Sequence, residues 1–348
     1  MRTIAKDTLK KLCKRVVIIV ACVSLVGAAI VAGLWRDRPD FGDINWPAHP
    51  TAEEIAGSVT VTWLGVTTLL FDDGETQILI DGFFSRPTIS DMLFSRPVQS
   101  DAATINYVLN EYGMNRIAAI IPVHSHFDHA MDIGAIANRT SASILGSSTT
   151  VQIARGAGVP EDQIVLASSD TEYSFGNFTV TLVDSVHAPI GWAGSIPFAG
   201  VIDKPLVPPA PVSSWREGGS YSVLIEHPNG ATLVQGGAGF IAGRVQDLRA
   251  DVVMLGVGQL QGLGREYAER YWQELVTATE AKRVFPIHFD DLTRPFGQVE
   301  LPPRAMNDFV KICNWLETIR ETWDKEARLY VPIFGQPVVL YPLAPPEA

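Results

Sequence analysis

The sequence is short of cysteine. Its 348 residues hold three, Cys13, Cys22 and Cys313, and none sits in a CxxC pair. A disulfide framework is therefore excluded. It also lacks a basic surplus: 27 Lys+Arg stand against 38 Asp+Glu, a net charge of -11. A nucleic-acid binder needs a basic face to displace counterions, so that class is excluded too. No internal repeat stands out. Apolar residues are not lacking; at 47% of the chain they supply enough surface to offset chain entropy, which excludes disorder as the main state.

The charge is unevenly placed. Residues 1–15 hold six basic residues against one acidic, a balance of +5; the remainder holds 21 against 37, a balance of −16. Between the two lies Val16 to Trp35, VVIIVACVSLVGAAIVAGLW, twenty residues without a charge. At ~1.5 Å per residue a helix of this length crosses the ~30 Å hydrocarbon core of a bilayer. Trp35 falls at the interface position, and the Lys/Arg crowd before the run keeps residues 1–15 cytoplasmic and exports the body. A cleaved signal peptide would have a shorter apolar run and a small-residue site, and VAGLW is a poor one. Ile19-Val20-Ala21-Cys22 resembles a lipoprotein box but has only six apolar residues before its cysteine. A buried core helix would show a polar face. The expectation is an uncleaved single-pass anchor at 16–35, a linker at 36–57 and one exported domain at 58–343.

Within the body, Val59 to Phe71 reads as one strand, paired through the turn Asp72-Asp73-Gly74 to Gln77–Asp81. Ala102–Tyr112 reads as a helix and Ile117–Val123 as a fully apolar strand. Phe178–Val183 alternates as a half-buried strand does. A second hairpin turns at His227-Pro228-Asn229-Gly230, and Asp251–Leu255 is another apolar strand. Two amphipathic helices follow, carrying Tyr267, Tyr271, Leu275 and Val276, then Phe309, Ile312, Cys313, Leu316 and Ile319. Arg328–Phe334 and Gln336–Tyr341 read as a closing hairpin around Gly335. The pattern is α+β, two sheets with helices outside.

Of seven histidines, three fall within six residues: His124-Ser125-His126-Phe127-Asp128-His129. The run leaves an apolar strand and enters a helix, where a rigid scaffold presents chemistry. Imidazole suits zinc and a carboxylate can complete the shell. In an extended segment His124 and His126 point to the same side and reach one ion. His49 and His227, in linker and turn, read as surface histidines.

The HxHxDH run resembles the signature of the metallo-β-lactamase superfamily. The likeness extends over roughly residues 58–300: Trp63-Leu64-Gly65 and Leu79-Ile80-Asp81 are similar to the opening of its lactonase and phosphodiesterase branch. His187 follows the FTVTLV strand, and His288 stands in Phe285-Pro286-Ile287-His288-Phe289-Asp290. The resemblance implies a four-layer αβ/βα sandwich with a metal site at one edge. It implies one ion on His124, His126 and His187, a second on Asp128, His129 and His288, zinc as the metal with iron or manganese as alternatives, and one or two ions. It further implies a hydrolase in which the metal acidifies a water and Asp128 orients that water or takes its proton.

The sequence departs from this family at two places. Gly237, in Leu233-Val234-Gln235-Gly236-Gly237-Ala238-Gly239-Phe240, stands where the family has a bridging Asp, and Val66 stands where a His often follows the early glycine. Asp290 or Asp291 is the expected substitute ligand, with Asp132 and Asp184 as weaker ones. Backbone amides of 236–239 are an expected oxyanion support. Residues 188–218, apolar and Pro-rich with Trp192, Phe198 and Trp215, read as a lid or wall over the site, suited to a small-molecule or amphiphilic substrate beside a membrane. The competing reading is a metal-binding or sensor protein on the same fold, its catalysis impaired by Gly237. Antibiotic-destroying β-lactamase activity is disfavoured by the opening strands.

Overall fold

A computed structural model describes residues 2–47, 49 and 58–341. Residues 48 and 50–57 of the expected linker and 342–343 at the expected domain end lie outside the described residues, as do Met1 and the side chains of 2–13.

Strict period-two alternation in the short apolar strands builds the core. Ile78 and Ile80 face one way and Leu79 the other; Ala119 and Ile121 face one way and Ile120 the other. Each strand therefore presents an apolar face on both sides and has to be covered twice. One seven-stranded sheet runs in the order Pro337–Tyr341, Val59–Trp63, Leu69–Asp72, Gln77–Ile80, Ile117–Ile121, Ser143–Gly146, Ile164–Leu166. The other runs Arg328–Leu329, Arg283–Ile287, Val252–Gly256, Gly230–Gln235, Ser220–His227, Phe178–Ser185, Glu172–Phe175. Their inner faces share one core, in which Val61, Trp63 and Phe71 meet Leu182, Val223 and Leu233. Helices Ala102–Glu111, Ile133–Thr140 and Ser148–Gly156 cover the outside of the first sheet through Ile105, Ile136 and Ile153. Helices Arg265–Trp272 and Phe309–Trp323 cover the outside of the second through Trp272, Ile312 and Leu316. This is the four-layer αβ/βα sandwich expected.

Two strand expectations are corrected. Val59–Phe71 is not one strand but two antiparallel ones, with Trp63 opposite Leu69. Gly65 and Val66 both take positive φ, 91° and 50°, and Thr68 N–H donates to Gly65 C=O at 2.9 Å, so the chain reverses there. The closing hairpin does not form. Arg328–Leu329 runs parallel to Arg283–Ile287 in the second sheet, and Pro337–Tyr341 pairs with Val59–Trp63 in the first. Pro332 and Pro337 lack amide protons, so a ladder folded around Gly335 would lose a donor on each arm; Pro337 is tolerated on an edge strand instead.

At the N-terminus Arg2–Arg36 forms one helix, and its segment Lys14–Arg36 is, among the described residues, the one long and apolar enough to cross a membrane; none of it is buried in the body. The chain beyond Arg36 is docked on the body. Arg38 Nη1 donates to Asp291 Oδ2 at 2.8 Å and to Leu301 C=O at 2.6 Å. Arg304 N–H donates to Asp37 C=O at 2.8 Å, and Ile44 and Trp46 pack on the main core. His49 packs against the rings of Tyr330 and Phe285, with centroids 4.8 and 5.4 Å away. His227 likewise is no surface residue: its side chain is 5% exposed, lies against Phe178 and Tyr341, and faces Asp73 Oδ2 at 3.6 Å. Both are corrections to a surface reading, since strand packing closes over a turn and a linker whose composition is polar.

Candidate metal centre

Strand Ile117–Ile121 leads into a bent loop, residues 122–126, before the one-turn helix Phe127–Ala130. The strand end thus carries His124 and His126, while the helical turn swings Asp128 and His129 to the neighbouring position. All four are buried. His187 arrives from the end of Phe178–Ser185 and His288 from the end of Arg283–Ile287, so both sheets contribute.

The ligand atoms form two groups. Those of His124, His126 and His187 lie within 4.8 Å of one another, and so do those of Asp128, His129 and His288. His124 Nε2 faces His126 Nδ1 at 2.9 Å, and the His187 ring lies 4.8 and 5.0 Å from theirs. Asp128 Oδ2 is 3.4 Å from His288 Nε2 and 3.6 Å from His129 Nε2.

The outward ring nitrogens are mostly occupied, which turns the others inward. His187 Nδ1 donates to Ala188 C=O and His126 Nε2 to Pro197 C=O, each at 2.8 Å. His129 Nδ1 donates to Asp81 Oδ2 at 2.7 Å, and Asp81 is itself held by Val123 N–H at 2.9 Å and by the Thr67 hydroxyl. Carboxylate or carbonyl partners of this kind fix the tautomer of a ligating imidazole. Asp81→Asn should therefore lower activity by ~10–100-fold with the fold intact, read by kcat/KM and circular dichroism.

Electrostatics agree with a cation site. Burial drives the His124 imidazole well below its ordinary range, lowers His126, and brings His187 down to about 4, so all three are neutral and offer lone pairs at neutral pH. Burial alone would raise Asp128, but the imidazoles of His129 and His288 outweigh it and hold the carboxyl far below its usual range. His129 moves the other way: burial opposes its charge, yet Asp81 and Asp128 raise it. No protein donor satisfies three converging lone pairs at once, and His124 Nδ1 is buried without a partner. A divalent cation fits this donor set. Backbone strain also gathers here: Val66, Asp81, Ala238 and His288 all take φ between 50° and 60°.

The expected substitute ligands are placed elsewhere. Asp290 Oδ1 accepts from Val66 N–H at 2.8 Å, and its Oδ2 lies 3.5 Å from Arg86. Asp291 is held by Arg38 and Thr293, Asp132 accepts from the amides of Phe84 and Ser85, and Asp184 is exposed. None of the four joins either group. Gly237 does stand at the site: a Cβ there would lie 3.6 Å from His187 and 3.8 Å from His124 Nδ1. Its carbonyl accepts from Ala188 N–H at 2.9 Å, so the 236–239 turn braces the His187 segment.

Residues 188–218 divide. Pro197 and Phe198 edge the site, with the Phe198 ring 6.1 Å from His126. Trp192 is 93% exposed and points away into solvent. Trp215 is fully buried in the helix-covered core of the first sheet and is no part of a lid; burying its indole there removes a large apolar surface from water. Trp215→Ala should accordingly cost ~3–5 kcal/mol of stability, measured by thermal or denaturant unfolding. Asp81, Thr67 and Arg86 are site residues that sequence reasoning did not single out as functional. Asp81 had one signal, a carboxylate closing the apolar strand Gln77–Ile80; Arg86 had none.

Comparison with known proteins agrees with this geometry. Residues 61–201 match the family model of the metallo-beta-lactamase superfamily. Over those residues the chain is similar to the metallo-beta-lactamase superfamily. Within that class it is similar to a metal-dependent hydrolase of Heliobacterium modesticaldum, 29% identical over 127 residues, 36% of this chain and 44% of that protein. It is similar also to one of Myxococcus xanthus, 27% identical over 168 residues, 47% and 52% of the two chains. The chain thus spans about half the length of the curated relatives it matches. Among solved structures, a possible metal-dependent hydrolase of Veillonella parvula shares the fold, with a TM-score of 0.50 at 13% identity over 81% of this chain and 100% of that one. So does CmlA, a diiron beta-hydroxylase of Streptomyces venezuelae, with 0.52 at 13% identity over 83% and 55%.

Proposed function

We propose that the protein is a metal-dependent hydrolase, with zinc on His124, His126 and His187, acting on an ester, lactone or phosphodiester. The observation that carries this is the convergence of three buried, neutral imidazoles whose outer nitrogens are tied to carbonyls or left free of any partner. When bound, a divalent cation supplies Lewis acidity, acidifying a water and polarising a substrate oxygen. The chain's own residues supply the rest. Asp128 is buried, with Oδ2 3.6 Å from His129 and 3.4 Å from His288, and is the carboxylate placed to orient a water or take its proton. His129, fixed by Asp81, and His288 orient that oxygen. Pro197 and Phe198 form an apolar lip beside His126, which suits an amphiphilic substrate.

The same reading makes residues 16–35, within the apolar segment Lys14–Arg36, a single-pass anchor, with residues 1–15 cytoplasmic and the hydrolase body outside. Its support is length, apolarity, complete exposure of the helix and the basic flank.

The full chain, purified in detergent, tests the reading: zinc, iron and manganese are measured by mass spectrometry, and ester, lactone, phosphodiester and β-lactam substrates are then offered. Failure to retain or load any metal would end it. Alkaline carbonate extraction should leave the chain in the membrane pellet.

A further inference from the structure

The two ligand groups share an edge. The His124 and His129 ring centroids are 3.9 Å apart, so an ion in each group would place two divalent charges side by side. Such a pair repels strongly in a buried site unless an anion lies between them. Among the described residues no side chain supplies one: Gly237 faces His124 and His187 with only a hydrogen, and Asp290 and Asp291 are engaged by Arg86 and Arg38.

A second observation stands on the other side of the site. The Arg86 side chain is 4% exposed and lies over the Phe83 ring at 4.7 Å. Its ion pair with Asp290 is loose, at 3.5 Å, and its Nε has no partner. Burial disfavours its charge, and the carboxylates that sustain it are Asp290, then Asp128, then Asp132. Asp290 also joins it to the site mechanically, because Val66 N–H donates to Asp290 and Val66 C=O accepts from His288 N–H. A guanidinium in this place attracts Asp128 and repels any cation that would use Asp128 as a ligand. Asp81, Asp128 and Asp290 are the carboxylates that touch site residues, and Arg86 offsets part of their charge from the Asp290 side.

We propose that this protein works with one metal ion, on His124, His126 and His187, and that the buried Arg86 guanidinium takes the electrostatic place of a second. The proposal rests on the hydrolase reading for the first ion only. Asp128, His129 and His288 are then a close-packed carboxylate–imidazole group rather than a second metal site.

The test counts ions rather than turnover. The full chain in detergent is equilibrated with excess Mn(II), desalted and measured for metal content. Calorimetric titration with Mn(II) and electron paramagnetic resonance are run in parallel. One tightly held ion with an isolated-ion spectrum is expected. Arg86→Gln should bind a second ion at least tenfold more tightly than the wild type, and the two ions should show exchange coupling. Arg86→Lys, which keeps the charge, should stay at one. Gly237→Asp places an anion where the Cβ meets only ordinary contacts, and should gain a second ion even if Arg86→Gln does not fold. Two ions of similar affinity on the wild type, or no second-ion gain in the folded variants, would overturn the proposal and leave the hydrolase reading intact. A chain that binds no ion at all would instead remove the hydrolase reading beneath it.

Discussion

Asp128→Asn is expected to slow hydrolysis by ~10²–10⁴-fold, the usual contribution of a positioned general base, while one metal ion per chain is retained. The substitution keeps the shape of the side chain and removes its charge. The three imidazoles that hold the ion do not include it, so metal content measured beside kcat/KM separates two roles. Loss of activity with the metal kept marks a proton acceptor; loss of both marks Asp128 as a ligand the ion needs. The amide would still sit against His129 and His288, at the 3.6 and 3.4 Å now seen, so the fold should be unchanged by circular dichroism. Retention of full activity would exclude the role.

His124→Ala is the second large effect, of a different kind. It removes the imidazole that makes two of the first group's three ring contacts, to His126 at 4.7 Å and to His187 at 4.8 Å. The two remaining ligands cannot close a site alone. The metal affinity should fall by more than the ~10–100-fold that an outer-shell change costs, and hydrolysis should drop to background. Because the ring is buried among other imidazoles rather than in an apolar core, unfolding in the metal-free state should move little. Metal content and a denaturation curve, taken on the same preparation, check both halves. An Ala variant that keeps metal and activity would remove His124 from the site.

Much of the centre was legible because the relevant signals are local. The run from His124 to His129 sits on a strand-to-helix loop, and alternation in FTVTLV placed His187 just past a strand, while His288 was placed by the family resemblance of its segment alone. Asp81 and Arg86 were illegible for the opposite reason. Asp81 reaches His129 across 48 residues of chain and Arg86 reaches Asp290 across 204, contacts that only the packed sandwich creates. Trp215 was misplaced because an apolar, Pro-rich stretch looks the same in sequence whether it covers a site or plugs a core. Two strand readings failed where proline and a positive φ, at Pro337 and Val66, override a β-like composition.

The contact between Arg38 and Asp291 has a mechanical consequence. Asp291 lies three residues beyond His288, and Arg304 grips Asp37 one residue after the apolar helix ends at Arg36. Only Asp37 stands between the end of the helix and Arg38, so the helix meets the body through docked chain rather than a free tether. Whatever holds the helix therefore acts on the body through the Asp37 and Arg38 contacts.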